Sequence, residues 1–429
     1  MFYTFSTLLK GLFRANRINE AQELFRKIVS EGLCQLSVVT YGTVIHGLCE
    51  AGNSAMAIEL LRVMEKGSCK PDTHVYSMII NGLCKDVMID SAFKLFDEMS
   101  EKGITRNVVT YNALICGLCN LSRWKEVKML TKEMISYKIY PDVFTFNTLI
   151  DGLCKEGLVD EAEDVLSIMK QQNVIPGVVS YNSLMDGYCL QGRMDEARNV
   201  IDSMASVNVA PDIWSFSILI HGYCKKKKID DAIHLFREIP YKGLKPSIVT
   251  YTTLLEGLFC ADGLCKNGQV RRALLLLEGI ERKGEHLHIS YYSIVMDGLC
   301  EAKKLDAGRA IFRDLASKGL EPDVVTYNIL IEGCCRNGLL EEAQNLLLRM
   351  DESSLSPNEI TYNVIVRENL RKHKLEAASK FLEEMDAKGF SPDLSTLALL
   401  LDSLDMKEHH SSVLKILLRW APNTLNKKQ

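Results

Sequence analysis

Val178-Val179-Ser180-Tyr181-Asn182-Ser183-Leu184-Met185-Asp186-Gly187-Tyr188-Cys189, followed by Leu190-Gln191-Gly192-Arg193-Met194-Asp195-Glu196-Ala197, decides the fold. Tyr181, Leu184, Met185 and Tyr188 recur at i, i+3, i+4 and i+7, so one face of an α-helix is apolar. Gly192 suits the carboxyl end of that helix, because glycine enters the left-handed region at little cost. A second helix follows, with Asp195 as its expected N-cap and Ala197, Val200, Ile201 and Met204 turned inward. Val209-Ala210-Pro211-Asp212 then stops it, since proline cannot continue a helix interior.

The same pair of helices returns at a fixed stride. Cys49, Cys84, Cys119, Cys154, Cys189 and Cys224 are each 35 residues apart, and Cys265, Cys300 and Cys335 resume the stride after one six-residue slip. Proline keeps the same period at Pro141, Pro176, Pro211 and Pro246, then at Pro322, Pro357 and Pro392. Small residues recur where paired helices should cross closest, among them Ala21, Ala57, Ala92, Ala162, Ala197, Ala232, Ala273, Ala343 and Ala378. One hairpin has too little core to stand alone, so the expected fold is an all-α solenoid stabilised by neighbour contacts. Units begin at residues 2, 38, 73, 108, 143, 178, 213, 248, 289, 324 and 359, giving an array of eleven repeats over 2–393 and a degenerate repeat with a C-terminal cap over 394–429. The unit 248–288 carries six extra residues around Phe259-Cys260-Ala261-Asp262-Gly263-Leu264, which are expected to lengthen its first helix or bulge from it.

Composition narrows the function. The formal charge of −4 on 429 residues excludes a uniformly basic surface, so any cationic footprint is local. No stretch reaches the roughly 18 apolar residues of a membrane helix. Nine of the 14 cysteines share one repeat position, which reads as packing by a small apolar thiol in a reducing compartment. Cys116 and Cys119 form a Cys-x-x-Cys without a second pair at zinc spacing. A zinc deaminase would need His-x-Glu and a later Cys-x-x-Cys. His409-His410 offers neither, so no catalytic residue, metal or cofactor is expected. Met1 leads straight into repeat sequence with no visible transit peptide or secretory signal, as in a cytosolic protein or a chain without its natural amino terminus.

Val108-Val109-Thr110-Tyr111-Asn112-Ala113-Leu114-Ile115 with Tyr140-Pro141-Asp142, Gly152-Leu153-Cys154-Lys155 and Asp160-Glu161-Ala162 resemble pentatricopeptide repeats. Tetratricopeptide units run 34 residues with a Trp…Leu-Gly…Tyr pattern that is absent here. The resemblance covers residues 2–393, and its texture is most similar to the P-class, restorer-of-fertility-like subgroup of plants. It implies a right-handed superhelix that binds single-stranded RNA, about one base per repeat, read by the fifth and last residues of each unit.

On that resemblance, Asn112 with Asp142, Asn182 with Asp212 and Asn363 with Asp393 imply uridine, and Asn328 with Asn358 a pyrimidine. Ser77 with Asn107 implies adenine, and Ser293 with Asp323 guanine. Gly42 with Asp72, Asn147 with Gly177, Ser217 with Ser247 and Thr252 with His288 depart from well-read pairs and are expected to act as spacers. The bland alternative makes the fifth residue a surface helix position and the last a turn or cap. Second-position residues Val39, Val109, Phe144, Val179, Trp214, Val249, Val325 and Ile360 are implied to sandwich the bases; His74 and Ser290 fit less well. Arg14, Lys85, Lys155, Lys225, Lys266, Arg336 and Arg371 form a row expected to meet phosphates, interrupted by Glu50, Leu190 and Glu301. The implied protein is a monomer without enzymatic activity, acting by occupancy on mitochondrial rather than chloroplast transcripts, with a recruited nuclease or other processing factor performing any cleavage. A protein-binding scaffold and a truncated family member with weak RNA binding are the alternatives.

Overall fold

The computed structural model describes residues 2–30, 37–67, 69–260, 267–282 and 288–404. These contain 23 α-helices, α1 to α23 in chain order, and no strand. Odd-numbered helices open the repeats and even-numbered helices close them. α11 (Val178–Gln191) and α12 (Met194–Ser206) form the hairpin quoted above. Gly192 ends α11 at φ 78°, the left-handed conformation expected of it. The N-cap of α12 is Arg193, not Asp195, which falls in the first turn and complements the positive end of the helix instead.

Contacts divide the chain into two units, Met1–Leu219 and Ile220–Gln429. In the first, α5 (Thr73–Lys85) packs on α7 (Val108–Asn120), and α9 (Val143–Lys155) on α11. In the second, α17 (Ile289–Glu301) packs on α19 (Val324–Arg336), and that on α21 (Glu359–Arg371). First helices thus stack on first helices, as a solenoid requires. Ala21, Ala57, Ala92, Ala162, Ala197, Ala232, Ala273, Ala343 and Ala378 are all fully buried. From the unit at 38 to the unit at 359, the aromatic near each start is buried too, and Tyr111 meets Phe96 edge-on at 5.1 Å, as Tyr327 meets Phe312.

The cysteine stride has a packing cause. A methyl group on Gly117 would lie 2.7 Å from Cβ of Cys84, and one on Gly82 would lie 2.6 Å from Cβ of Cys49. Each glycine therefore admits the cysteine of the preceding repeat, and stacking fixes both residue types together. Burial pushes the Cys84 and Cys119 thiols up to about 12, so they stay protonated.

In the long unit, the described part of the first helix is α15 (Ile248–Cys260), 13 residues. The second helix, α16 (Asn267–Arg282), is the longer one, with 16 residues. Residues 261–266 between them lie outside the described residues. At the end of the array, α23 (Leu394–Leu404) packs on α21, and the remaining expected cap residues lie outside the described residues.

Candidate nucleic-acid interface

The last residue of each repeat is the N-cap of the next first helix. Asp72, Asn107, Asp142, Asp323 and Asn358 all hold extended backbone, and each side chain accepts the N–H three residues on. The bland reading of these residues is therefore correct as local structure. It does not exhaust what they do.

The cap also meets the fifth residue of its own repeat. Asn112 Nδ2 donates to Asp142 Oδ1 at 3.1 Å, Asn182 Nδ2 to Asp212 Oδ1 at 3.3 Å, and Asn328 Nδ2 to Asn358 Oδ1 at 3.3 Å. Asn363 differs: its Oδ1 accepts the Asp393 backbone N–H at 2.9 Å, while its Nδ2 turns to the Glu359 carbonyl. Burial alone would raise the Asp142 carboxyl. Hydrogen bonds from the Thr145 N–H, the Asn112 amide and the Thr145 hydroxyl outweigh it and hold the group below its ordinary value. Asp393 is likewise depressed against the effect of burial by bonds from Thr396 and by Arg367, whose guanidinium lies 3.0 Å away.

A third residue completes the cluster, and the sequence analysis did not single it out. The Thr145 hydroxyl donates to Asn112 Oδ1 at 2.6 Å, Ser215 to Asn182 at 2.7 Å, Thr361 to Asn328 at 2.7 Å and Thr396 to Asn363 at 2.7 Å. Ser180 does the same for Asn147 at 2.6 Å, although Gly177 there has no side chain to offer. These hydroxyls belong to the third residue of the following repeat and are fully buried. Their signal was the recurrence of Thr or Ser two residues after every opening position except 73 and 289.

The other expected pairs are arranged differently. Ser77 and Asn107 meet on the Thr110 hydroxyl, at 2.8 and 3.0 Å. Ser293, Ser217 and Thr252 donate to carbonyls of their own helices, at Ile289, Ile213 and Val249. Ser247 caps its helix through Thr250, and His288 accepts the Ser290 N–H. Gly42 leaves room: a methyl group there would meet only the Met78 side chain, at an ordinary 3.5 Å.

Three residues before each fifth position, on the same helix face, stands the second residue. Val39, Val109, Phe144, Val179, Trp214, Val249, Val325 and Ile360 are between 43% and 71% exposed, which core packing would not allow. They form a repeated apolar edge beside a polar floor.

The cationic row is not a plain basic stripe. Lys85 Nζ sits 2.7 Å from Glu50, Lys155 2.6 Å from Asp151, and Arg371 3.7 Å from Glu368. Arg336 lies 2.8 Å from Glu332 and 3.5 Å from Glu301. Glu50 and Glu301, which interrupt the row in sequence, are thus its counter-ions. Arg14 and Lys225 are exposed and make no ion pair among the described residues. Lys266 lies outside the described residues. No group of three or more His, Cys, Asp or Glu that could hold a metal occurs among the described residues, and no helix is long and apolar enough to cross a membrane.

The arrangement defines a helical-hairpin repeat protein with a polar cluster at several of the joints between repeats. Models of the PPR repeat family match residues 36–85, 75–120, 106–155, 141–177, 176–225, 215–260, 288–336 and 322–369, and PPR repeat models match 2–29, 260–285 and 360–390. The chain belongs to the PPR repeat family. Its fold is similar to the pentatricopeptide repeat protein PPR10 from maize, with a TM-score of 0.60 and 23% identity over 99% of this chain and 63% of that one. It is also similar to PPR10 in complex with an 18-nt psaJ RNA element, with a TM-score of 0.53 and 20% identity over 97% of this chain and 74% of that one. This chain therefore spans less than two thirds of the full length of the maize structure. A comparison with curated protein sequences found no match.

Proposed function

We propose that the chain is a sequence-selective single-stranded RNA-binding protein, reading about one base per repeat and acting without catalysis. The observation that carries this reading is the joint cluster of fifth-residue amide, last-residue cap and following hydroxyl, flanked by exposed second residues. A base entering between Val109 and Phe144 would offer its hydrogen-bonding edge to Asn112 and its faces to the apolar side chains. On the family pattern, Asn112–Asp142, Asn182–Asp212 and Asn363–Asp393 take uridine, Asn328–Asn358 a pyrimidine, Ser77–Asn107 adenine and Ser293–Asp323 guanine. The units of Gly42, Asn147, Ser217 and Thr252 act as spacers.

Phosphates pass along the cationic row. Arg14 and Lys225 meet them directly, whereas Lys85, Lys155, Arg336 and Arg371 exchange a carboxylate for a phosphate. Exposed ion pairs of this kind are worth about 0–1 kcal/mol, so the exchange is affordable. The target is an organellar transcript, mitochondrial on the restorer-of-fertility-like texture of the repeats, and bound protein shields it or guides a recruited nuclease. The family's RNA complex with maize PPR10 supports the ligand class.

The test is a titration of the purified chain with a labelled RNA of the order any, A, U, any, U, two unread, G, pyrimidine, U. Binding to the single strand that weakens as salt rises, and fails when the RNA is annealed to its complement, is the expected result. A folded chain that ignores every single strand sinks the reading.

A further inference from the structure

We propose that the third-position hydroxyl following a repeat with asparagine at its fifth position is a positioning residue for base choice in that repeat, an inference that rests on the RNA-reading function above. An asparagine amide has two faces of opposite hydrogen-bonding character, and turning it over exchanges a donor for an acceptor. Something must fix that choice if the amide is to discriminate bases. In the cluster around Asn112, the Thr145 oxygen accepts the Asp142 backbone N–H at 3.1 Å. Its single proton is then free to be given away, and Asn112 Oδ1 at 2.6 Å is its nearest acceptor. The oxygen of the amide is thereby held toward Thr145, and Nδ2 toward the cap residue and the groove.

The last residue alone does not fix the amide, because it changes while the hydroxyl contact stays. It is Asp at 142 and 212, Asn at 358 and Gly at 177, yet Asn112, Asn182, Asn328 and Asn147 each accept from a hydroxyl at 2.6 or 2.7 Å. Each of the five repeats with Asn at the fifth position is followed by Thr145, Ser180, Ser215, Thr361 or Thr396. Of the repeats without Asn there, those with Ser6, Ser77, Ser217 and Ser293 keep Thr40, Thr110, Thr250 and Thr326, whereas those with Gly42 and Thr252 are followed by Val75 and Tyr291, which have no hydroxyl at Cβ. The hydroxyl is thus lost only where there is no amide to orient.

A purely structural role is separable. Thr326 completes the same capping arrangement with Asp323 as Thr145 does with Asp142, but the neighbouring Ser293 donates to the Ile289 carbonyl instead. Thr326→Val therefore removes the hydroxyl half of a capping box and orients nothing.

The experiment measures affinity of the full chain for RNAs carrying each of the four bases at one position at a time. Thr145→Val should lower the U-over-C ratio by about five- to tenfold at the base assigned to Asn112 and leave it unchanged elsewhere, with Thr145→Ser restoring it. Ser215→Ala should do the same at the base assigned to Asn182, and Thr326→Val should leave every preference as it was. Should Thr145→Val fail to fold, Ser215→Ala carries the same test. Full discrimination in these variants, in a chain where Asn112→Ala abolishes it, overturns the positioning role and leaves RNA reading standing. Equal losses at all positions in Thr145→Val and Thr326→Val overturn it in favour of a structural role. A wild-type chain with no base preference anywhere overturns both.

Discussion

The hydroxyl of Thr145 donates to Oδ1 of Asn112 across the joint between two repeats, 33 residues apart in sequence. A repeat with asparagine at its fifth position therefore does not build its reading position alone. It takes a hydroxyl from its successor, so the local geometry of one unit depends on how the next one stacks.

Trp214 is 57% exposed at the second position of its repeat, with Ser215 and Ser217 buried beside it. Trp214→Ala should weaken RNA binding by about 1–3 kcal/mol, the worth of one stacked base, while the thermal unfolding curve stays in place. Equilibrium binding and circular dichroism on the same preparation check both halves.

Glu50 and Asp151 hold Lys85 and Lys155 at 2.7 and 2.6 Å. Glu50→Gln with Asp151→Asn should release both cations to the RNA. Affinity should rise, and the slope of log K against log salt should steepen by roughly one to two units, as each newly engaged phosphate adds slightly less than one. An unchanged slope would place these lysines away from the RNA path.

Gly117 faces Cys84 with no room for a methyl group, the nearest atom of which would lie at 2.7 Å. Gly117→Ala should cost about 1–3 kcal/mol by overpacking. Because repeats couple chiefly to their neighbours, hydrogen exchange should quicken in α5 and α7 and remain unchanged in α19 and α21.

Glu98 takes bonds from Arg62 and Lys102 that outweigh its burial, and its carboxyl is held down to about 2 from an ordinary 4.5. A depressed acid stabilises the fold fully above its unfolded value and loses that contribution as pH falls through its folded one. Glu98→Gln should therefore melt below the wild type at pH 7, by about 1–2 kcal/mol after screening by solvent, and the gap should close between pH 4.5 and 2. A gap that does not depend on pH would assign the loss to packing.

Much of this was legible in the chain itself. Periodicity disclosed the hairpins, and the alanines at the crossings are as buried as their spacing required. The pairing of Asn112 with Asp142 was legible through family resemblance, and its cap geometry through residue type. What stayed hidden arises between repeats. Glu50 and Lys85 occupy the same position in successive units, so only stacking brings them to 2.7 Å, and a reading of each unit alone makes Glu50 a gap in the cationic row. The same holds for Thr145, whose hydroxyl looks like an ordinary helix-start residue until the preceding Asn112 is set beside it. Asp195 was misplaced by residue preference, because α12 begins two residues sooner, with Arg193 as its cap directly after the left-handed turn at Gly192.

The most direct measurement compares affinities for the RNA of predicted order and for the same RNA with its three uridines changed to cytidine, using the wild type and the double variant Asn112→Thr, Asn182→Thr. Preference for uridine in the wild type, lost in the variant at the two corresponding positions and kept at the one assigned to Asn363, is the predicted result. Equal binding of both RNAs by the wild type, or an unchanged preference in the variant, would contradict base reading by these side chains.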